Sequence, residues 1–175
     1  TLLDAIRAVH EVEGVKRIRL GSLEPTIATV EFSRTLAAMT KVCPQFHLAL
    51  QSGSNTVLAR MARRYNTDMY RRAAGNLRAD FPMAAFTTDV LTGFPGETKQ
   101  DFEELCTFIQ EAQFERLGCF AYSAEEGTPA AELPDQVPEK VKCRRRDIVM
   151  EEQSRISDRH NEMMVGKTLT VLVES

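Results

Sequence analysis

The chain has 175 residues, 43% of them hydrophobic, and a formal net charge of −3, which suits one globular domain with a core and a small appendage. The weak negative charge argues against a nucleic-acid module that binds by bulk electrostatics, although a local basic patch is compatible with it. No apolar run approaches the ~20 residues of a membrane helix, no signal peptide is visible, and the four cysteines lack CxxC or zinc-finger spacing.

These features favour a reduced, cytoplasmic protein that does not bind a membrane. The chain begins without methionine, inside a predicted helix. We therefore expect it to be part of a longer protein.

Four segments with strand character alternate with helical segments along the first two thirds of the chain. The predicted strands are 15–20, 46–50, 84–92 and 117–122. Apolar residues at helical spacing predict helices before the first strand, from Thr29, after Ser54, from Thr67, and over 98–112. Alternating βα units predict a parallel sheet. Right-handed crossovers then place all four strand ends on one side.

Polar or glycine-rich residues follow each predicted strand, at 22–25, 51–54, 93–97 and 122–127. Ligands bind at the carboxyl ends of strands in α/β folds, so this convergence predicts a binding rim. Glu24 and Gln51 carry groups that suit a semi-buried polar ligand. The alternative is that both side chains only cap their loops.

The third predicted strand ends in a turn that leads into a helix. Pro95-Gly96 is a strong turn signal, and Thr98 with Asp101 has the spacing of a capping box. The absence of side chains at Gly93 and Gly96 is expected to leave backbone groups open to a flat ligand. Ser54 is expected to cap the helix that follows it, which carries Val57, Leu58 and Met61.

The chain changes character after Thr128. Three prolines among alanines and acids predict an extended arm, followed by a charged helix over 139–164 and a strand over 167–174. The helix opens with a basic run, which either contacts RNA phosphates or forms a solvated face paired with acids at i,i+4, the reading we favour. The run contains Lys140, Lys142, Arg144, Arg145 and Arg146.

Several polar residues have two interpretations. Asp89 on the central strand needs a partner, and a structural bond to the neighbouring loop is favoured over a ligand contact. Arg63 and Arg64 either bind a carboxylate or phosphate or are solvated at a helix end. Cys43 and His47 flank a strand, and a core cysteine with a partnered histidine is favoured over a metal site.

Five segments together are highly specific, and with them the chain resembles the methylthiotransferases of the radical SAM superfamily over essentially its whole length. They are 21–25, 47–54, 61–65, 87–98 and 122–131. The resemblance implies a partial parallel TIM-like barrel. Residues 1–137 would form the second half of that barrel, 138–165 a linker helix, and 166–175 the first strand of a TRAM domain.

The resemblance also implies cofactors and partners. Enzymes of this family use S-adenosyl-L-methionine (SAM) and two 4Fe–4S clusters, need an electron donor, and most act on tRNA. The barrel cluster requires a Cys-x3-Cys-x2-Cys motif, and none of the four cysteines here has that spacing. The chain alone is therefore expected to be inactive. Its incomplete barrel would leave the first strand as an open edge, which predicts self-association.

By resemblance, Glu24 and Gln51 reach polar parts of SAM, and backbone groups at the end of the central strand meet the adenine edge. The implied cofactor-binding residues are Glu24, Gln51, Ser52, Arg64, Leu91, Thr92, Gly93 and Tyr122, with no catalytic residue or metal ligand.

The loops at 51–53 and 22–25 resemble the tRNA branch that adds a methylthio group to C2 of threonylcarbamoyl-adenosine beside the anticodon. By resemblance, a 5′-deoxyadenosyl radical made from SAM removes the C2 hydrogen, and a methylthio group replaces it. The alternatives are a methylthiotransferase acting on a ribosomal protein and a cluster-free nucleotide- or protein-binding domain.

Overall fold

The computed structural model describes residues 1–168 and 173. Within them, the strands are β1 (Ile18–Leu23), β2 (Val42–Leu48), β3 (Ala85–Thr92) and β4 (Arg116–Ala121). The α-helices are α1 (Leu2–Glu11), α2 (Val30–Ala37), α3 (Asn55–Arg60), α4 (Thr67–Asp80), α5 (Lys99–Ala112) and α6 (Glu139–Glu162). The strand predicted after residue 166 falls mainly on 169–172 and 174–175, which lie outside the described residues.

The four described strands form one parallel sheet in the order β1-β2-β3-β4. This confirms the predicted α/β architecture and the partial barrel, in which strands adjacent in sequence are adjacent in the sheet. The longest regular pairing joins β3 to β4, from Thr87 opposite Arg116 to Thr92 opposite Ala121. Strand β1 lies at an edge of the sheet, so self-association through it stays a prediction.

Side chains on β3 alternate between a buried and a half-buried face. Phe86 and Val90 point into the hydrophobic core, which they share with Leu105 and Ile109 of α5. The intervening residues, Asp89 among them, are only half-buried. In a parallel barrel the helices cover the outside of the sheet, so the half-buried face corresponds to the inner wall.

The bounds of β1 and β2 differ from the predicted ones, and the pairing between these two strands is irregular. Strand β1 runs from Ile18 to Leu23 rather than over 15–20. Strand β2 begins at Val42 rather than at residue 46, and it includes Pro44. Ile18 pairs with Val42 and Leu20 with Phe46, so two extra residues of β2 bulge out between these pairs. Proline has no N–H to donate and is tolerated at such a bulge, which hides the strand from a search for regular alternation.

Helix α5 begins with the predicted capping box. The Thr98 hydroxyl oxygen accepts the Asp101 N–H at 3.1 Å, and Asp101 Oδ2 accepts the Thr98 N–H at 2.8 Å. The Ser54 hydroxyl donates to the same carboxylate at 2.6 Å. Burial raises the pKa of Asp101, but the hydrogen bonds from Ser54 and Thr98 outweigh burial and leave that pKa lowered.

Substituting Asp101 by asparagine is expected to lower the free energy of unfolding by about 1–3 kcal/mol at neutral pH, because charge-assisted hydrogen bonds are lost. A lowered folded-state pKa adds stability above the unfolded pKa of about 3.9, and that stability disappears as the pH falls through the folded-state pKa. Urea denaturation should give a constant difference between the two proteins from about pH 7 to pH 5 that shrinks below about pH 4. A difference that grows on acidification would contradict this.

Helix α6 is highly charged, yet one side of it is buried. Its buried residues are Lys142, Val149, Gln153 and Ile156, and Gln153 Nε2 donates to the Phe114 carbonyl at 2.8 Å. The helix packs along β4 and the end of β3. In the part of the chain that the structure describes, no helix combines the length and apolar character needed to cross a membrane.

Candidate functional site

The carboxyl ends of the four strands meet at one edge of the sheet, as predicted. The Ala49 N–H donates to the Leu23 carbonyl at 3.0 Å, which joins the ends of β1 and β2. The Gln51 N–H donates to the Asp89 carbonyl at 3.0 Å, and the Tyr122 N–H donates to the Thr92 carbonyl at 2.9 Å. These backbone bonds set Glu24, Gln51, Gly93 and Tyr122 in sequence along one rim.

Gln51 has an unusual backbone conformation on this rim. Its φ is +65°, in the left-handed region, which costs a non-glycine residue roughly 1–2 kcal/mol. Two backbone hydrogen bonds hold it beside β3, one from its N–H to Asp89 and one from the Leu91 N–H to its own carbonyl at 2.9 Å. Strain that is held in place by neighbouring bonds is typical of functional positions, so Gln51 is a strong candidate for ligand contact.

The two serines after Gln51 are not on the rim. Ser52 is buried, and its hydroxyl accepts the Ser54 N–H at 3.2 Å. Ser54 does not cap α3 with its side chain, contrary to the prediction, because its hydroxyl donates to Asp101 of α5 instead. The Ser54 side chain therefore joins the strand end to α5, whereas the buried Ser52 hydroxyl bonds within its own loop.

Glu24 and Arg64 are both exposed. Glu24 Oε2 accepts the Thr26 hydroxyl at 3.3 Å, which leaves most of the carboxylate accessible. The residue next to Arg64, Tyr65, is buried under the end of β2, donates to the Leu50 carbonyl at 3.3 Å, and has its pKa raised by burial to about 12. Arg64 thus stands near the rim without a described contact.

Arg63, which is not among the cofactor-binding residues that the resemblance implies, is half-buried. Its Nε is buried and has no hydrogen-bond partner among the described residues. A buried guanidinium nitrogen without a partner is costly. An acceptor supplied by a ligand or by another part of the protein would satisfy it.

The turn after β3 is closed by side chains, in contrast to the open turn predicted. A Cβ on Gly93 would overlap the Lys142 side chain, and a Cβ on Gly96 would overlap the Arg60 guanidinium. The Gly93 N–H is also taken, because it donates to Glu97 Oε1 at 2.8 Å. The space beside Gly93 and Gly96 is thus occupied by the side chains of Lys142 and Arg60.

At this turn Lys142 is buried and the Arg145 side chain is largely buried. Of the predicted pairs with acids on the same helix, Lys142 makes one, with Glu139 Oε2 at 3.1 Å. Arg145 Nη1 lies 2.6 Å from Glu97 Oε1, with 13% of the arginine side chain and 1% of the glutamate side chain exposed. Burial raises the pKa of Glu97, against the opposing effects of the Gly93 N–H and Arg145. Lys142 Nζ donates to the Tyr122 carbonyl at 2.7 Å.

Tyr122 is enclosed at the end of β4. Its ring packs edge-on against Phe94, with 5.2 Å between centroids, and Lys142 Nζ lies 5.3 Å from the ring centre. Tyr122 is only 7% exposed, and its hydroxyl has no hydrogen-bond partner among the described residues. A buried hydroxyl of this kind fits a ligand that brings its own polar atom.

The segment predicted as an extended arm is folded over this end of the sheet. It forms a 3-10 turn at Pro129–Glu132, and Gln136 Nε2 donates to the Ala130 carbonyl at 3.1 Å and the Leu133 carbonyl at 3.0 Å. Ala130 and Leu133 pack on the cluster that contains Phe94. Side-chain bonds to its own backbone thus fold a segment whose prolines favour extension.

A chain of hydrogen bonds runs across the inner wall below the rim. Arg19 Nε donates to Gln45 Oε1 at 2.7 Å, and Gln45 Nε2 donates to Thr87 Oγ1 at 3.2 Å. His47 lies between Thr87, at 3.1 Å, and Asp89 Oδ2, at 3.6 Å. The partner of Asp89 is therefore a histidine on β2, not the neighbouring loop.

The remaining cysteines and acids offer no cluster site. All four cysteines are free, and among residues 1–168 and 173 no three histidine, cysteine or acidic residues lie close enough to hold a metal ion. The residues present therefore do not fit an iron–sulfur cluster. The strained Gln51 and the accessible Glu24 lie on the rim, and the buried Tyr122 hydroxyl has no partner among the described residues. These are polar groups of the kind that bind a nucleoside-like ligand.

Comparison with known proteins relates this chain to the radical SAM superfamily and to curated methylthio-transferring relatives. Residues 2–109 match the family model of the radical SAM superfamily. The chain is 41% identical over 169 residues to the tRNA-2-methylthio-N(6)-dimethylallyladenosine synthase of Clostridium novyi (strain NT), covering 97% of the chain and 37% of that protein. It is 42% identical over 174 residues to the ribosomal protein uS12 methylthiotransferase RimO of Trichlorobacter lovleyi, covering 99% of the chain and 39% of that protein.

A solved structure shares the fold. Coproporphyrinogen III oxidase from Escherichia coli, a radical SAM enzyme, superposes with a TM-score of 0.65 at 16% identity, covering 90% of this chain and 36% of that one. The chain spans little more than a third of each curated relative, at 37% and 39% of their lengths. The nearly equal identities to a tRNA-modifying and a protein-modifying relative do not separate the two substrate classes.

Proposed function

The chain belongs to the radical SAM superfamily, and from this membership we propose that it forms the second half of the barrel of a methylthiotransferase. The observation that carries the proposal is 41–42% identity, over nearly the whole chain, to two proteins that are both named for methylthio transfer. The rim of polar strand ends supports it, because that rim is where a parallel α/β sheet binds its ligand. We also propose that the protein is cytoplasmic.

In this proposal the chain supplies one wall of the SAM site. Glu24 accepts hydrogen bonds from hydroxyl or amino groups, the Gln51 amide donates and accepts, and the Tyr122 hydroxyl finds in SAM the partner it lacks here. Backbone groups of Leu91, Thr92 and Gly93 stay candidates for the adenine edge, although the Gly93 N–H is already bonded to Glu97. SAM bound to an iron–sulfur cluster would supply a carbon radical, and the cluster ligands would come from other parts of the protein.

We propose threonylcarbamoyl-adenosine in tRNA as the substrate, with C2 of the adenine as the site of methylthio transfer. The support is the resemblance at Gln51-Ser52-Gly53 and at Ser22-Leu23-Glu24-Pro25. The second candidate is a ribosomal protein. It is favoured by the 42% identity to the uS12 methylthiotransferase.

The test is a methylthiolation assay with the full-length protein that contains this chain. The protein is purified without oxygen, its clusters are reconstituted, and it is supplied with SAM and a reductant. Three substrates are compared: tRNA bearing threonylcarbamoyl-adenosine, tRNA bearing isopentenyl-adenosine, and uS12. Mass spectrometry should detect the methylthio product only on the first. A product on uS12 alone would overturn the tRNA assignment, and SAM cleavage without any product would overturn the methylthiotransferase assignment.

A titration of the chain by itself with SAM addresses the third candidate, a cluster-free binding domain. We expect weak or no binding, because the iron that would hold the amino and carboxylate groups of SAM has no ligands here. Micromolar binding without iron would favour an autonomous nucleotide-binding domain instead.

Replacing Gln51 by glycine is expected to separate stability from SAM binding. Glycine adopts the +65° φ without strain, so the free energy of unfolding should stay within ~1 kcal/mol of wild type or rise. SAM affinity of the full-length protein should fall roughly tenfold, because the side-chain amide is lost. Denaturation and equilibrium SAM binding measure the two effects.

Ala62→Gly is the matched control, since Ala62 also has a positive φ, of 55°, and is exposed. It should relieve strain without changing SAM affinity. If Q51G binds SAM as tightly as wild type does, Gln51 is not part of the site.

A further inference from the structure

The N-terminal part of helix α6 is attached to the turn after β3 through two of its residues. The attachment consists of Glu97, Lys142 and Arg145, which we call the helix clamp. Lys142 and Arg145 are three positions apart and lie on the same side of α6, facing the Gly93 turn.

Glu97 is the centre of the helix clamp. One of its oxygens, Oε1, accepts both the Gly93 N–H at 2.8 Å and Arg145 Nη1 at 2.6 Å. Arg145 Nη1 also donates to the Glu97 backbone carbonyl at 3.1 Å. The orientation of the Gly93 peptide is thus fixed by a carboxylate that is itself fixed by a residue of α6.

Lys142 forms the second attachment. Its aliphatic stem occupies the space that a side chain at Gly93 would need, and its ammonium group donates to the Tyr122 carbonyl. The Thr92 hydroxyl donates to the Lys142 backbone carbonyl at 3.2 Å. The ends of β3 and β4 are therefore both bonded to one residue of α6.

The helix clamp differs from the other charged pairs of α6. Arg155 pairs with Glu151 one turn away, and their side chains are 61% and 68% exposed, as expected for a solvated helix face. Arg145 reaches across to Glu97, 48 positions earlier, in a pair that is almost fully buried. A buried pair of this kind fixes geometry more than it adds stability.

We propose that Arg145, through Glu97, and Lys142 are positioning residues that set the affinity of the barrel for SAM. The proposal rests on the proposed function, in which the end of β3 meets the adenine. A turn that is held in its binding geometry before the ligand arrives loses less conformational freedom on binding. Loosening the helix clamp should therefore weaken SAM binding although neither α6 residue is placed in contact with SAM.

The test compares variants of the full-length protein, with reconstituted clusters, by equilibrium SAM binding. Arg145→Gln should raise the Kd for SAM about tenfold, and Arg145→Lys, which keeps a donor for Glu97, should recover most of that loss. Arg155→Gln is the matched control on the exposed face and should leave the Kd unchanged. Hydrogen exchange without SAM should show the amides of Gly93 and Glu97 exchanging roughly tenfold faster in R145Q.

Several results would overturn the proposal. A folded R145Q protein with wild-type SAM affinity and wild-type exchange at Gly93 would do so. If R145Q does not fold, Lys142→Met keeps most of the stem and removes the ammonium group, which donates to the Tyr122 carbonyl and pairs with the exposed Glu139. It should raise the Kd about threefold, and an unchanged Kd would overturn the proposal equally.

A different result would refute the proposed function. Wild-type protein that binds SAM but modifies neither tRNA nor uS12 would refute the methylthiotransferase assignment and leave the binding comparison valid. Wild-type protein that does not bind SAM would overturn both.

Discussion

Replacing Glu97 by alanine is expected to lower the free energy of unfolding by about 3–5 kcal/mol, the range for breaking a buried ion pair from one side. Two groups lose their acceptor at once. Arg145, only 13% exposed, is left without its carboxylate, and the Gly93 N–H loses the oxygen 2.8 Å away. Chemical denaturation of the purified protein measures the change.

The matched control for this prediction is Glu103→Ala on α5. Glu103 pairs with Lys99 one turn away, and both side chains are largely exposed, at 61% and 88%, so its removal should cost at most about 0.5 kcal/mol. Glu97→Gln should fall between the two, since an amide oxygen still accepts the Gly93 N–H. Equal losses for E97A and E103A would mean that Glu97 is solvated in solution.

The sheet could be predicted from the sequence because its signals are local. Apolar and β-branched residues marked β3 to within one residue. The turn at Pro95-Gly96 and the capping pair Thr98 and Asp101 fixed where α5 begins. Each of these signals lies within a few residues of the feature that it predicts. The order of the strands was implied by the resemblance to a partial TIM-like barrel, in which sequential parallel strands lie side by side.

The roles of Lys142 and Arg145 could not be predicted, because their partners are remote. The neighbours of this basic run include acids at i,i+4, which is the pattern of a solvated helix. Burial of Lys142 depends on how closely α6 approaches Gly93, and no local pattern records that distance. A weak signal was present, since Val149 and Ile156 continue one stripe from Lys142 at intervals of seven.

Ser54 shows how tertiary structure overrides a correct local rule. Serine before a helix normally caps it, and Ser54 is the N-cap residue of α3. Its hydroxyl instead donates to Asp101 at 2.6 Å, in a buried site, where a charge-assisted bond is stronger than a neutral cap. Other side chains that support the candidate site, such as Lys142 and Arg145, also bond to partners that are remote in sequence. The strand-end residues of the site were therefore easier to predict than the side chains that support them.

Gly53→Ala is expected to lower the free energy of unfolding by about 3 kcal/mol, at the upper end of the range for overpacking. The added Cβ would lie 2.6 Å from the Leu105 Cα and 2.9 Å from the Phe108 Cβ. The first contact is with the backbone of α5, which cannot rotate aside as a side chain can. The loop after β2 and helix α5 would have to separate, and that would also strain the bond between Ser54 and Asp101.

Gly75→Ala is the matched control, because the same atoms are added in open space. Gly75 is exposed within α4, and a Cβ there meets nothing within 4 Å, so the substitution should stabilise the protein by roughly 0.5–1 kcal/mol through helix propensity. The changes in the free energy of unfolding for G53A and G75A, measured by the same denaturation experiment, should have opposite signs. A loss below ~1 kcal/mol for G53A would mean that α5 does not pack closely on the end of β2.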